Sequence, residues 1–263
     1  MSAGLSAAAQ QQFDSEVKHA FQSQGVLRGT TTIRNDVVGD IYKFRKMGKG
    51  LANQKATSAD VTPMGITHDL ISCTLGNWNA PEYTDIFDAK EVNFDEKTEL
   101  QGTIAGALGR RYDQLIIDAM AASGTTNSVT GGVTLATLID ASEALNDNGV
   151  PMGGRHIAVT AAGLAGLLGT TQVQSADYNN VKALVSGDLN TFMGFNFHVI
   201  ETRAEGGLAN NGFAWHDSAV GVAVGMDVTA KVDWVPQKTS WLCNGLMKAG
   251  AVARDATGIV EFA

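Results

Sequence analysis

Between residues 94 and 122 the chain carries one uninterrupted helical pattern, and it limits the possible folds more than any other feature. Leu100, Ile104, Leu108, Tyr112, Leu115, Ile116 and Ala119 recur at helical spacing, so one stripe is apolar. At 1.5 Å per residue such a segment reaches roughly 40 Å, where an average globular helix has about 12 residues. A helix of that length is a structural beam rather than the wall of an active site. Gly102, Gly106 and Gly109 lie inside it. Each costs about 1 kcal/mol relative to Ala, which points to close approach of another backbone or to a bend. Asn93 with Glu96 three residues on reads as a capped start, and Gly124 supplies a left-handed stop.

What precedes the beam is irregular. Residues 1–34 are polar and Ala/Gln-rich, with Phe13, Val17 and Phe21 on one face of a short helix expected over 14–22. Such a segment gains order by docking. Two strands are expected at 36–44 and 67–75, joined by a basic, glycine-punctuated stretch of about 20 residues, which makes a protruding hairpin rather than a tight turn. Asn77-Trp-Asn-Ala-Pro81 reads as a break.

After the beam the elements are shorter and alternate between helix and strand. Leu135, Leu138, Ile139, Ser142 and Leu145 mark a helix stopped by Asn148-Gly149. His156-Ile-Ala-Val-Thr160 reads as a buried strand, 161–168 as a short helix, and Phe195, Phe197 and Val199 as another strand. Val220, Val222 and Val224 alternate, as do Val228, Ala230, Val232 and Trp234. Residues 245–254 and 258–262 read as a closing hairpin. The class is α+β.

Composition narrows the function. With 44% hydrophobic residues the chain can bury a substantial core, and only 17% are charged, below the usual quarter. The net charge of −8 argues against a dedicated nucleic-acid binder. That charge is unevenly placed: residues 1–60 hold eight Lys/Arg and five Asp/Glu (+3), the remainder 11 and 22 (−11). A basic limb beside an acidic body suits contact between copies of the chain. Cys73 and Cys243 stand far apart and form no metal-ligand spacing, and no run of about 18 apolar residues exists. The first residues lack the pattern of a secretory signal.

Chemistry-bearing motifs are missing. There is no G-x-G-x-x-G, no phosphate-binding G-x-x-x-x-G-K-[ST] and no G-x-S-x-G. His68-Asp69 and His216-Asp217 are sequence neighbours, and on a strand such neighbours point to opposite faces, so neither reads as a dyad. His156 reads as a hydrogen-bonded packing residue. Asp85, Asp88, Glu91, Asp95, Glu96 and Glu99 form an acidic cluster leading into the beam. It suits the positive end of a helix dipole, a divalent cation, or Arg45, Lys46, Lys49 and Lys55 of a neighbouring copy. No catalytic residue, cofactor or metal ligand is assigned. The inter-subunit candidates are Arg45, Lys46, Lys49, Lys55, Asp85, Asp88 and Glu91.

The order of segments resembles tailed-phage major capsid proteins of the Hong Kong 97-type fold. The resemblance rests on the arm, the long hairpin, Gly109-Arg-Arg-Tyr-Asp113 and Ile116-Ile-Asp-Ala-Met120 in the beam. It continues in Val150-Pro-Met-Gly-Gly-Arg-His-Ile-Ala-Val-Thr160, Gly187-Asp-Leu-Asn-Thr-Phe-Met-Gly-Phe-Asn-Phe-His-Val199 and the β-rich tail. It implies an N-terminal arm (1–34), an extended loop (35–80), a peripheral domain with a spine helix (81–131 and 227–263) and an axial domain (132–226). The implied role is a non-enzymatic shell subunit forming pentamers and hexamers around a double-stranded DNA genome, assembled in the host cytoplasm and found in the virion. Implied partners are a scaffolding protein, separate because the sequence is short, a portal and a decoration protein, with DNA touched weakly and no membrane. Some members cross-link through a Lys–Asn bond, for which Lys55 stands in position only. An encapsulin-like cargo shell and a metal-dependent α/β enzyme are the alternatives.

Overall fold

The computed structural model describes residues 25–85, 96–125, 127–168, 192–200, 208 and 212–263. The expected helix at 14–22, the Asn93 cap, Asp88 and Glu91 lie outside these residues. The beam is helix α1, Glu96–Ala121. Its buried apolar side chains are Ile104, Leu108, Tyr112, Ile116, Ile117 and Met120, which widens the expected stripe by the last turn.

Helix α1 lies across a four-stranded sheet. The strands are β1 (Thr32–Arg34), β4 (Gly76–Asp85), β9 (Val220–Val235) and β10 (Ser240–Ala253), in the order β1-β9-β10-β4. β10 runs antiparallel to both neighbours, and β1 is parallel to β9. Helix and sheet come close because β10 offers no side chain at Gly245, where a Cβ would stand 2.3 Å from Ile104 Cγ2.

A second sheet has the order β5-β11-β8-β6-β7, formed by Ser128–Val129, Ile259–Phe262, Gly212–His216, Arg155–Thr160 and Phe195–Ile200. It is a wall shared by two cores. Ala158, Ile200, Phe213, Trp215 and Ile259 face the α1 core. Their neighbours Ile157, Val159, Val199, Ala214 and Val260 face the second core, with helix α2 (Leu135–Asp147) and helix α3 (Ala161–Leu168). This is the period-2 alternation of a strand read on both faces. Helix α2 starts with a capping box: Thr137 N donates to Thr134 Oγ1 at 3.2 Å, and Thr134 N to Thr137 Oγ1 at 2.8 Å. It stops before Gly149, whose φ of +73° needs glycine.

Several expectations are corrected. The supposed break at Asn77–Pro81 is the middle of β4, where Pro81 stands opposite Asn244. β4 ends the order of its sheet, and an edge strand tolerates a residue without an N–H. The two alternating runs at 220–234 are one strand, bent by a register shift near Met226 and Lys248. That strand crosses 226/227 without interruption. The closing hairpin does not form: a 3₁₀ turn at Ala256–Gly258 carries the chain from β10 in one sheet to β11 in the other. Ile139 is exposed, and Ala141 is buried in its place.

The end of the polar arm is tied down at a site the sequence did not announce. Asp113, fully buried on α1, accepts from Val26 N at 2.7 Å and from Leu27 N at 3.1 Å. Gly25, at φ +93°, lies against the α1 backbone, and a Cβ there would be 2.8 Å from Gly109 O. The two backbones thus approach closely at Gly109 of the long helix. Arg28 adds an ion pair with Asp227 and lies 5.7 Å from the Tyr112 ring centre.

Candidate functional site

The expected protruding hairpin is β2 (Ile41–Met47) paired antiparallel with β3 (His68–Thr74), in register from Ile41 opposite Thr74 to Met47 opposite His68. Gly48 N donates to Thr67 O at 2.9 Å, and the chain between them runs out without helix or strand. This loop exposes Leu51 (83%), Val61 (77%) and Met64 (53%). Three large apolar side chains left exposed on one projecting loop are candidates for burial against another molecule.

The base of the hairpin is anchored by apolar and basic residues together. Phe44, Cys73 and Leu75 form a small core with Ala223. Phe44 lies over Gly221, where a Cβ would be 2.9 Å from its ring. Burial pushes the Cys73 thiol above its ordinary range, so it is packed rather than reactive. Lys46 pairs with Asp255 of the same chain at 3.0 Å, and Lys49 donates to Asn148 O. Burial alone would raise the Asp255 pKa, but hydrogen bonds from Thr257 and Lys46 outweigh it and hold the carboxyl below its usual range. Lys248 likewise pairs with Asp40 at 2.7 Å and lowers that carboxyl.

Between β1, β2 and Arg254 lies an open cleft of about 590 Å³, lined by Thr32, Ile33, Arg34, Tyr42, Lys43, Phe44, Arg45 and Arg254. Four of these residues are cationic and none is acidic. Arg34 Nε donates to the Tyr42 hydroxyl at 3.1 Å, and Arg254 sits 5.4 Å from the Phe44 ring centre, its buried Nε without a hydrogen-bond partner among the described residues. Such a cleft favours an anionic group.

The sequence-derived contact residues therefore fall into three sets. Arg45 and Lys55 are exposed, on β2 and on the loop. Lys46 and Lys49 are occupied within their own chain, binding the hairpin to the body. Asp85 ends β4 opposite Ser240, whereas Asp88 and Glu91 lie outside the described residues.

Other candidates resolve as structural. His216 Nδ1 and Asp217 Oδ1 are 2.8 Å apart, against the expectation that strand neighbours diverge. Asp217 sits in the turn after β8, so its side chain folds back. Arg155, buried at 1% exposure, donates to Pro151 O (2.9 Å), Val150 O (2.6 Å) and Asn146 Oδ1 (2.7 Å), which pins the loop before β6. Trp234 and Trp241, directly opposite each other where β9 turns into β10, meet edge to face at 5.2 Å. Among the described residues, no three His, Cys, Asp or Glu side chains gather as a metal site, and no helix is long and apolar enough to cross a membrane. Among the described residues, the cleft and the hairpin hold no nucleophile with a base beside it.

Among curated proteins none matches this sequence. Solved structures do match the fold. The capsid of the Cyanophage P-SCSP1u aligns with a TM-score of 0.79 at 17% identity, over 100% of this chain and 94% of that one. The Helicobacter pylori bacteriophage KHP40 head aligns at 0.78 and 10%, over 96% and 95%. Mycobacterium phage Che8 aligns at 0.74 and 18%, over 96% of each. The family described as phage capsid protein matches residues 5–263. Beam, protruding hairpin and two-core body thus stand together with a match over nearly the whole length: the chain belongs to the phage capsid protein family, whose members are structural rather than enzymatic.

Proposed function

We propose that the chain is the major capsid protein of a tailed phage, self-assembling into an icosahedral head shell around a double-stranded DNA genome. In this reading 1–34 is the arm, 35–80 the extended loop, 81–131 with 227–263 the peripheral domain and 132–226 the axial domain. The hairpin reaches over a neighbouring subunit in a pentamer or hexamer. Assembly takes place in the host cytoplasm with scaffolding and portal proteins, and a decoration protein is a further partner. DNA inside the shell is confined rather than gripped, in keeping with the net charge of −8.

The observation that carries the reading is the hairpin itself: a loop exposing Leu51, Val61 and Met64 on a body whose fold matches phage capsids. Apolar burial of this loop supplies affinity, at about 25 cal/mol per Å². Arg45 and Lys55, meeting Asp85, Asp88 and Glu91 of the neighbour, supply orientation, because exposed ion pairs contribute only about 0–1 kcal/mol each. The test replaces residues 47–64 by a short glycine turn and follows assembly by electron microscopy. The expected result is folded subunits without closed shells; normal, stable particles would refute the proposal.

A further inference from the structure

The wall between the two cores holds a histidine pair that the assembly reading leaves unused. His156 on β6 and His198 on β7 face each other with Nδ1 and Nε2 3.1 Å apart. The strands are adjacent and parallel, with His156 opposite Asn196 and His198 opposite Ala158, so the two rings meet on a diagonal of one sheet face. Both rings stack on Trp215, at 5.9 and 6.4 Å between centres and 29° between planes. Trp215 is fully buried, belongs to the α1 core, and donates Nε1 to Thr30 O at 3.0 Å. The rings therefore lean on the residue that ties the second sheet to the chain entering β1. Leu27, held by Asp113, lies in the same core.

A hydrogen bond between two imidazoles needs one N–H and one lone pair. The pair can carry one extra proton with this bond intact. A second sets N–H against N–H and places two cations in contact in a part-buried site. We propose that the His156–His198 pair is a proton-operated release in the sheet shared by the two cores, closed when neutral and loosened by acid.

The surroundings favour the neutral rings. Burial, and then the proximity of His156, push His198 down to about 4. Burial also lowers His156, with Asp217 acting in the opposite direction and His216 reinforcing the shift. From α1 the same core receives Tyr112, which burial raises to about 12, and Asp113, engaged by the Val26 and Leu27 amides. Arg28, in the segment before β1, is paired with Asp227. Glu201, Arg203 and Glu205 follow β7 in sequence and lie outside the described residues. The sign follows from linkage. A histidine lowered in the folded state contributes stability that is complete above its unfolded pKa of about 6.5, and loses it as pH falls toward the folded value. The sensitive window is therefore about 6.5 to 4.

The test is hydrogen exchange by mass spectrometry on the full-length chain at pH 7.5 and pH 5, corrected for the intrinsic pH dependence of exchange. It compares wild type, His198→Gln, His156→Gln and, as control, His68→Gln on the exposed hairpin. Wild type and the control should lose protection at least tenfold in β6 and β7 on acidification, while His198→Gln and His156→Gln change less than threefold. If either Gln variant fails to fold, carbon-13-labelled imidazole signals of the wild type decide. At least one of the two rings titrating well below 6 supports the release. Equal acid sensitivity in all four proteins, or both rings titrating near 6.5, would overturn it.

Discussion

The Asp113 carboxylate is the best place to test how the arm is joined to the beam. It accepts two backbone N–H groups, at 2.7 Å from Val26 and 3.1 Å from Leu27, and its own side chain is fully buried. Hydrogen bonds to charged groups contribute about 1.5–3 kcal/mol each. Leu27 is fully buried, so its amide has no water to turn to and its bond belongs near the upper figure. Val26 is 41% exposed, and its amide can recover part of the loss from solvent. Removing the carboxylate also relieves its own desolvation cost, which trims the sum. Asp113→Ala should therefore destabilise the subunit by about 3–4 kcal/mol. Asp113→Asn keeps the shape but turns one N–H donor against another, and should lose about half of that. Guanidinium denaturation of the full-length, unassembled chain, followed by tryptophan fluorescence, measures both. Limited trypsin digestion at Arg28 reports the same clamp locally, with faster cleavage in both variants. A loss below about 0.5 kcal/mol for Asp113→Ala, with unchanged cleavage, would show that the arm is held by something other than this carboxylate.

Gly245→Val should lower thermal stability by at least about 1–3 kcal/mol, because its Cβ would stand 2.3 Å from Ile104 Cγ2 and 2.9 Å from Leu108 Cδ1. Gly102→Ala, where nothing lies within 4 Å, should instead stabilise the isolated subunit by up to about 1 kcal/mol; both are read by calorimetry. Arg155→Met should cost about 3 kcal/mol in denaturant titration by orphaning the Val150, Pro151 and Asn146 oxygens, and Arg155→Lys should rescue little, since one ammonium cannot span three acceptors. The Cys73 thiol should react with iodoacetamide much more slowly in the native subunit than after unfolding, because it is buried at 1% exposure and its pKa is raised; peptide mass spectrometry follows the label.

The parts of the fold legible in the sequence are those where one physical signal acts alone. The apolar stripe from Leu100 to Ala119 announces α1 because a long helix repeats its signal seven times. The hairpin is readable because a long basic loop between two β-rich runs has few alternatives. Pro81 misled because a proline is excluded from central strands but not from edges, and edge position belongs to the sheet, not to the segment. Asp255-Ala-Thr-Gly258 misled for a related reason: a turn sequence specifies a reversal, not which sheet receives the next strand. The site was legible only in outline. Basic residues near the hairpin are visible in the sequence, but Lys46 and Lys49 are taken by Asp255 and by the Asn148 carbonyl of the same chain, more than 90 residues away. The Asp113 clamp and the His156–His198 pair join positions 87 and 42 residues apart. Nothing local marks the histidine pair, whereas a lone aspartate on the apolar side of a long helix was a usable signal for the clamp.

This distribution of contacts separates two mechanical tasks within one chain. Polar groups buried in the body are mostly spent on their own chain: Asp113 on the arm, Arg155 on the loop before β6, and Trp215 on Thr30. The hairpin follows the opposite rule beyond its root. Phe44 and Lys46 on β2 and Lys49 just past its end fasten the paired strands, whereas Leu51, Lys55, Val61 and Met64 in the loop are left outward. A rigid base with an unsatisfied tip holds the loop out from the subunit before any partner arrives, so binding has less chain entropy to overcome than a fully flexible tail would. Weakening the root should then impair assembly without touching any interface residue. Phe44→Ala, which empties the small core against Ala223, should raise the subunit concentration needed for shells while Arg45, Lys55 and the apolar tip remain unchanged.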